Sequence, residues 1–415
     1  MRSFLWRAAA CLIAALILLP ALFGLTSCTS TIGDTVTLYV YNWGEYISDG
    51  TEGTPDVNGL FEEWYYETYG VKVKVNYSTY SSNESMYAKL SSGSVNYDVV
   101  VPSDYMIERM IAEDMLAPLN LENIPNVQNI HEDFFGENAK FDSYDPDNLY
   151  AVPYMYGMIG IIYNTSMVAE DDPALGSWQL MWDERHAGNI LQFNNSRDAF
   201  GTAQYFLGLD VNSHDEAEWR LALEKLKEQK PVLQGYVMDE IFNKMENGSA
   251  AIAAYYAGDF LAMYENNEDL EFFYPEEGTN LYVDAMCIPK SSQNKEIAER
   301  YINFMLSEEP AVANAEYTYY ASPNKVVRES AEYVEYMNSI KDGAYELMYN
   351  TEAVMTTSYE NLDGETLIML NELWEELKSD IEVGLPIYVI CAAILAVLIG
   401  GGTFLAVRKR IRNNY

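Results

Sequence analysis

Between residues 35 and 120 the chain alternates short apolar runs with longer segments whose apolar residues recur every three or four positions. "TVTLYVYNW" is almost unbroken in branched and aromatic residues and predicts a buried strand. "PDVNGLFEEWYYETYG" follows with helical spacing, Pro55 falling in its first turn and Gly70 acting as a stop. "VKVKVNYSTY" alternates apolar and polar, the pattern of a second strand. "SSNESMYAKLSSG" predicts the next helix, with Ser81 and Glu84 at capping-box spacing. "YDVVVPS" then gives a short strand and "YMIERMIAEDML" another helix. A βαβαβα order implies a parallel sheet covered by helices.

The pattern changes at "LYAVPYMYGMIGIIYN" (149–164), a long apolar extended stretch. After it, "SWQLMWDERHAG", "NILQFN", "AFGTAQYFLGL" and "EWRLALEKLKEQK" read as helix, strand, helix, helix. "DEIFNKMENGSAAIAAYYAG" reads as a helix running into a strand, and "LEFFYPEEGTNLYVDAMCIP" as two strands. "KEIAERYINFMLSE" and "GETLIMLNELWEELKSDI" are amphipathic helices. The fold class is therefore α/β, with a second α/β unit inserted after the first and crossovers near 150–155 and 283–289. We assign 35–152 and 285–318 to one lobe, and 153–284 and 319–383 to the other. Two such lobes leave a cleft at their strand ends, where ligands bind.

Both ends read as membrane-directed. "MRSFLWRAAACLIAALILLPALFGLTSC" (1–28) has two arginines, a long apolar run and small residues before Cys28, the pattern of a secretory leader. Its last residues resemble the bacterial lipoprotein box, which predicts a lipid on Cys28. "PIYVICAAILAVLIGGGTFLAV" (386–407) is uncharged and long enough to span a bilayer, and the basic tail 408–415 follows at once. Basic residues stay cytoplasmic, so the body is expected to face outward from a cell membrane.

That body is strongly acidic: the chain has 63 Asp and Glu against 25 Lys and Arg. It should repel nucleic acid and concentrate cations. The four cysteines form no disulfide framework, two of them lying in the apolar terminal segments. His131, His186 and His214 lack metal-ligand spacing, so no metal or other cofactor is expected. No nucleophile elbow, Walker A loop or zinc-protease motif is present, which argues against an enzyme and leaves no catalytic residue to assign.

What stands out is a set of aromatic and acidic clusters at predicted strand ends: "YNWGEY", "VPSDYM", "NNSRDAF", "AAYYAGD", "LYVDAMCIP" and "YYASPN". A carboxylate among rings is costly unless a cation meets it. A flexible polyamine would supply that cation, its ammonium groups facing acids and its methylenes facing flat apolar walls.

"LYVYNWGEYI", "NYSTYSSNESMYAKL", "YDVVVPSDYMIERM", "YAVPYMYG" and "VDAMCIP" resemble the spermidine/putrescine-binding proteins of bacterial ABC importers, in order over most of 35–380. The resemblance implies a type II periplasmic-binding-protein fold closing on a polyamine, a monomer that hands its ligand to an ABC permease. It also implies site residues. Trp43 and Tyr46 would wall one end of the cleft, with Glu45 adding charge. Ser103 and Tyr105 would add a hydroxyl and a ring. Where the family usually has two acids three apart, this chain has Asn195 and Asp198, so one amine would meet an amide oxygen. Tyr255 and Tyr282 stand where tryptophans are common, Asp284 matches the central acid, and Tyr320 matches the ring before "PN". Glu360 falls near a position usually held by an amide. These departures do not separate spermidine from putrescine. Two other readings keep the scaffold: a binder of sugar or ferric iron, and a membrane-anchored polyamine sensor without a transport role.

Overall fold

The computed structural model describes residues 35–379. The leader with Cys28, the apolar run 386–407 and the basic tail lie outside the described residues. Among the described residues, no helix is long and apolar enough to cross a membrane.

The described strands are β1 (Val36–Trp43), β2 (Val73–Tyr80), β3 (Val99–Val100), β4 (Ala151–Asn164), β5 (Ile190–Phe193), β6 (Leu233–Val237), β7 (Ile252–Tyr256), β8 (Leu270–Phe273), β9 (Thr279–Cys287) and β10 (Thr356–Thr357). They join in the order β2-β1-β3-β9-β4-β7-β5-β6, with β8 beside β4 and β10 beside β9. Two blocks, β2-β1-β3 and β7-β5-β6, are parallel. Between them β9 and β4 run antiparallel to each other and to their outer neighbours.

That arrangement accounts for the unbroken apolar run of β4. It pairs with β9 over Ala151–Met158, with β7 over Ile159–Tyr163 and with β8 over Ile161–Asn164, and all its residues but Tyr163 are buried, so it shows no alternation. Gly157 and Gly160 interrupt it where a neighbour comes too close for a side chain: the Tyr282 hydroxyl at the first, the Phe272 ring at the second.

Helices cover the parallel blocks, and three local expectations change. Pro55 is not in the first turn of its helix. Asp56 is the N-cap of Val57–Tyr69, accepting from the Gly59 N–H, while Gly70 ends the helix in the left-handed conformation. Ser81 and Glu84 form no capping box. Ser82 caps Asn83–Ser91, which leaves the Glu84 carboxylate free to accept from the Tyr105 hydroxyl at 2.9 Å. The segment expected as one helix at 177–188 is two short 3₁₀ turns, Trp178–Trp182 and Glu184–His186, divided by Asp183, whose side chain caps the second.

The consequence for function lies in strand direction. The carboxyl ends of β1, β2, β3, β5, β6 and β7 all open onto one cavity, which is where open α/β sheets place their ligands.

Candidate functional site

The cavity is partly open, and its empty space, open solvent included, is about 800 Å³. Trp43 ends β1 and the turn after it brings Glu45 and Tyr46 to the cavity, while the segment after β3 brings Ser103 and Tyr105. Asn195 and Asp198 come from the helix start after β5, Asp239 follows β6, Tyr255 and Tyr256 end β7, and Asp259 follows it. Asn280, Tyr282 and Asp284 alternate along β9, so one face of that strand points inward.

Asp284 sits at the centre, 4% exposed. Ser103 Oγ donates to its Oδ1 at 2.6 Å and Tyr46 Oη to its Oδ2 at 2.7 Å. Asn83 donates in turn to the Ser103 and Tyr105 hydroxyls, at 3.0 and 3.1 Å. Burial raises the Asp284 carboxyl to about 6; the two hydroxyl bonds pull it down and nearby Asp198 pushes it up.

Opposite lies Asp198, 8% exposed, which accepts from Tyr256 Oη at 2.7 Å and Asn195 Nδ2 at 2.6 Å. Burial raises its carboxyl as well, with Glu84 adding to the effect. Asn195 does not offer the free amide oxygen expected of it. Its Oδ1 accepts from the Asp198 N–H at 2.8 Å as the N-cap of helix Ser196–Leu207, so it holds Asp198 in place.

The rings form walls. Trp43 anchors its indole N–H on the Val101 carbonyl at 2.9 Å and lies 4.6 Å from the Tyr80 ring. Tyr320 meets Tyr46 edge-on at 4.8 Å, and Tyr255 stacks on Phe193 at 5.4 Å. Tyr282 meets Tyr256 edge-on, and among the described residues its buried hydroxyl has no partner. Glu45 is exposed at the rim with φ 48°, a left-handed backbone rare for its residue type and characteristic of functional turns.

Glu360 is a correction. It is exposed and does not line the cavity. Its N–H donates to Asn212 Oδ1 and its carbonyl accepts from Arg197, and this backbone pinning turns the neighbouring Tyr359 inward instead. Four further acids line the cavity that sequence reasoning did not single out: Glu84, Asp104, Asp239 and Asp259. Burial raises the Asp259 carboxyl to about 8; a Tyr320 hydrogen bond opposes this, and Asp239 and Glu45 add to it. The signal for Asp259 was present in "AAYYAGD", one helical turn past the rings.

Seven carboxylates therefore line the cavity, and among the described residues no Lys or Arg lines it. Ionising them together in so confined a space is opposed by burial and mutual repulsion, both of which a bound cation relieves. A separate group, Asp172, Asp183 and His186, lies close enough together to hold a metal ion, but it lies away from this cavity, and Arg185 already bridges both acids.

The family described as bacterial extracellular solute-binding protein matches residues 61–340. Over 347 residues the chain is 30% identical to the spermidine/putrescine-binding periplasmic protein of Salmonella typhimurium, covering 83% of this chain and 92% of that one. Its structure is similar to the spermidine/putrescine ABC transporter substrate-binding protein PotD of Streptococcus pneumoniae, with TM-score 0.64 and 32% identity over 83% of this chain and 98% of that one. It is also similar to the Tp0655 lipoprotein of Treponema pallidum, with TM-score 0.65 and 27% identity over 82% and 99% of the two chains.

Proposed function

Because the chain belongs to the bacterial extracellular solute-binding proteins, we propose that its cavity takes a linear polyamine, making it the spermidine/putrescine-binding component of an ABC importer. Its role is binding rather than catalysis, and it works outside the cytoplasm. The observation that carries the ligand reading is the lining: seven carboxylates, walled by rings, with no Lys or Arg there among the described residues. A sugar would leave the buried acids among the seven, Asp104, Asp198 and Asp284, without counter-charge, whereas an alkyl chain bearing ammonium groups balances them and covers the rings.

Capture proceeds by closure of the two lobes on the amine. The lobes move as the units assigned from sequence, flexing where the chain crosses between them. Contacts across the cleft support a closed arrangement. The Asn361 N–H donates to Glu108 Oε2 at 2.8 Å, and the Arg197 guanidinium lies 5.7 Å from the Tyr105 ring. The closed form is the one a permease would read. A lipid on Cys28 and a span over 386–407 would tether this receptor to the membrane it serves.

Thermal-shift and calorimetric titration with putrescine, spermidine, an oligosaccharide and Fe(III) test the reading. Stabilisation by the amines alone supports it. Stabilisation confined to the sugar or the iron overturns it. Mass spectrometry of the mature amino terminus tests the lipid.

A further inference from the structure

Asn280 has no part in the hydrogen-bonded shell around Asp284 and Asp198. It lies on β9 four residues before Asp284, about 13 Å along the strand, on the same inward face. The residue is 3% exposed and lines the cavity, yet among the described residues its Oδ1 meets no donor. Two positions on, the Tyr282 hydroxyl is likewise buried without a partner. Buried amide oxygens are almost always paired, and one left bare destabilises the protein. Asn280 Nδ2 and Oδ1 are also not used to cap a helix or fix a turn, in contrast to Asn195, whose amide is spent on Asp198. Asn280 lines a cavity built for cations, and its buried, unpartnered oxygen lacks only an N–H.

We propose that Asn280 Oδ1 is a ligand acceptor, taking an N–H of the bound amine, and is therefore a specificity residue of this site. The inference rests on the polyamine reading above and adds to it an uncharged contact beside the charged ones. An amide oxygen accepts an N–H without adding an eighth negative charge to a lining already crowded with carboxylates. It therefore favours amines that place a donor at this point of the groove over those that place a methylene there. Spermidine and putrescine carry their nitrogens at different spacings, so the contact separates them where net charge alone does not.

The test is calorimetric titration of wild type and Asn280→Leu with spermidine and with putrescine, alongside melting of each ligand-free protein. Leucine keeps the branched outline of the side chain, with a somewhat larger volume, and removes the acceptor together with the amide donor. The expected result is a loss of about tenfold or more in affinity for the tighter-binding amine. The ratio of the two affinities should move toward one, and the ligand-free variant should melt no lower than wild type because a bare polar atom has gone. Unchanged affinity for both amines overturns the assignment and leaves the oxygen to a water. If wild type binds neither amine, the polyamine reading itself falls, and this contact with it.

Discussion

Tyr46 and Asp284, 238 positions apart in the chain, meet at 2.7 Å, the phenol donating to the carboxylate. The bond ties the turn after β1 to the strand that runs between the two parallel blocks, so the aromatic wall and the central acid are set as one unit. Asp284 thereby reaches the cavity with both oxygens already accepting a hydroxyl, oriented for a cation before one arrives. Asp284→Asn keeps the shape and removes the charge. Polyamine affinity should fall by roughly 3 kcal/mol or more, about a hundredfold, because an ammonium would be buried uncompensated. Calorimetry reads this directly, and unchanged affinity would remove Asp284 from the site.

Asp259 makes the parallel case at the other acid group, where Asp239 and Glu45 are its electrostatic neighbours. Asp239 and Glu45 remain beside it as counter-charges for the amine, so Asp259→Asn should lose less, on the order of 1–2 kcal/mol of binding. The ligand-free variant should gain thermal stability at pH 8, since a crowded charge has been removed. A variant that binds as wild type and melts as wild type would place Asp259 outside the functional set.

Much of this site was legible because strand ends can be read. Trp43, Tyr46, Ser103 and Tyr105 each follow or close an apolar run, and the sheet order sends those ends to one place, whereas Asp284 reaches it from the inward face of β9. What was not legible depended on neighbours that sequence spacing does not show. Glu84 looked like a helix cap, but Ser82 took that role and released it to the site. Asn195 looked like a ligand contact, but the start of its own helix consumed its amide. In the irregular segment around 360 no periodicity says which of two adjacent side chains faces inward, and Tyr359 rather than Glu360 does. The β4 run announced burial, while its role as the shared strand between two blocks depends on pairing with β9 and β7, well over a hundred residues downstream at one end.

Gly44 tests closure apart from charge. A Cβ on this residue would lie 3.0 Å from Asp239 Oδ2, across the cleft between the β1 turn and the β6 turn. Gly44→Val should prop the cleft apart while leaving each block's packing alone. Affinity for spermidine should drop at least tenfold, and small-angle scattering should show less compaction on adding ligand than wild type shows. Full compaction with normal affinity would mean that the two turns need not approach this closely.

Proton linkage gives the last prediction its sign. Asp284 and Asp259 titrate at about 6 and about 8 in the folded, ligand-free chain, against an ordinary value of 3.8. Between about pH 4 and pH 8 the folded protein therefore holds protons that the unfolded chain has released. Stability then falls as pH rises through this window, because the native state binds more protons than the unfolded one. The ligand-free protein should melt at a higher temperature at pH 5 than at pH 8, the reverse of a protein held together by ionised carboxylates. A bound polyamine favours the ionised acids and expels their protons. Its stabilising effect should be larger at pH 8 than at pH 5. Near pH 6.5 the binding heat should vary with the ionisation enthalpy of the buffer, in the direction of proton release. A melting temperature that rises from pH 5 to pH 8 without ligand, or binding heat independent of buffer, would mean that these acids are already ionised before the amine arrives.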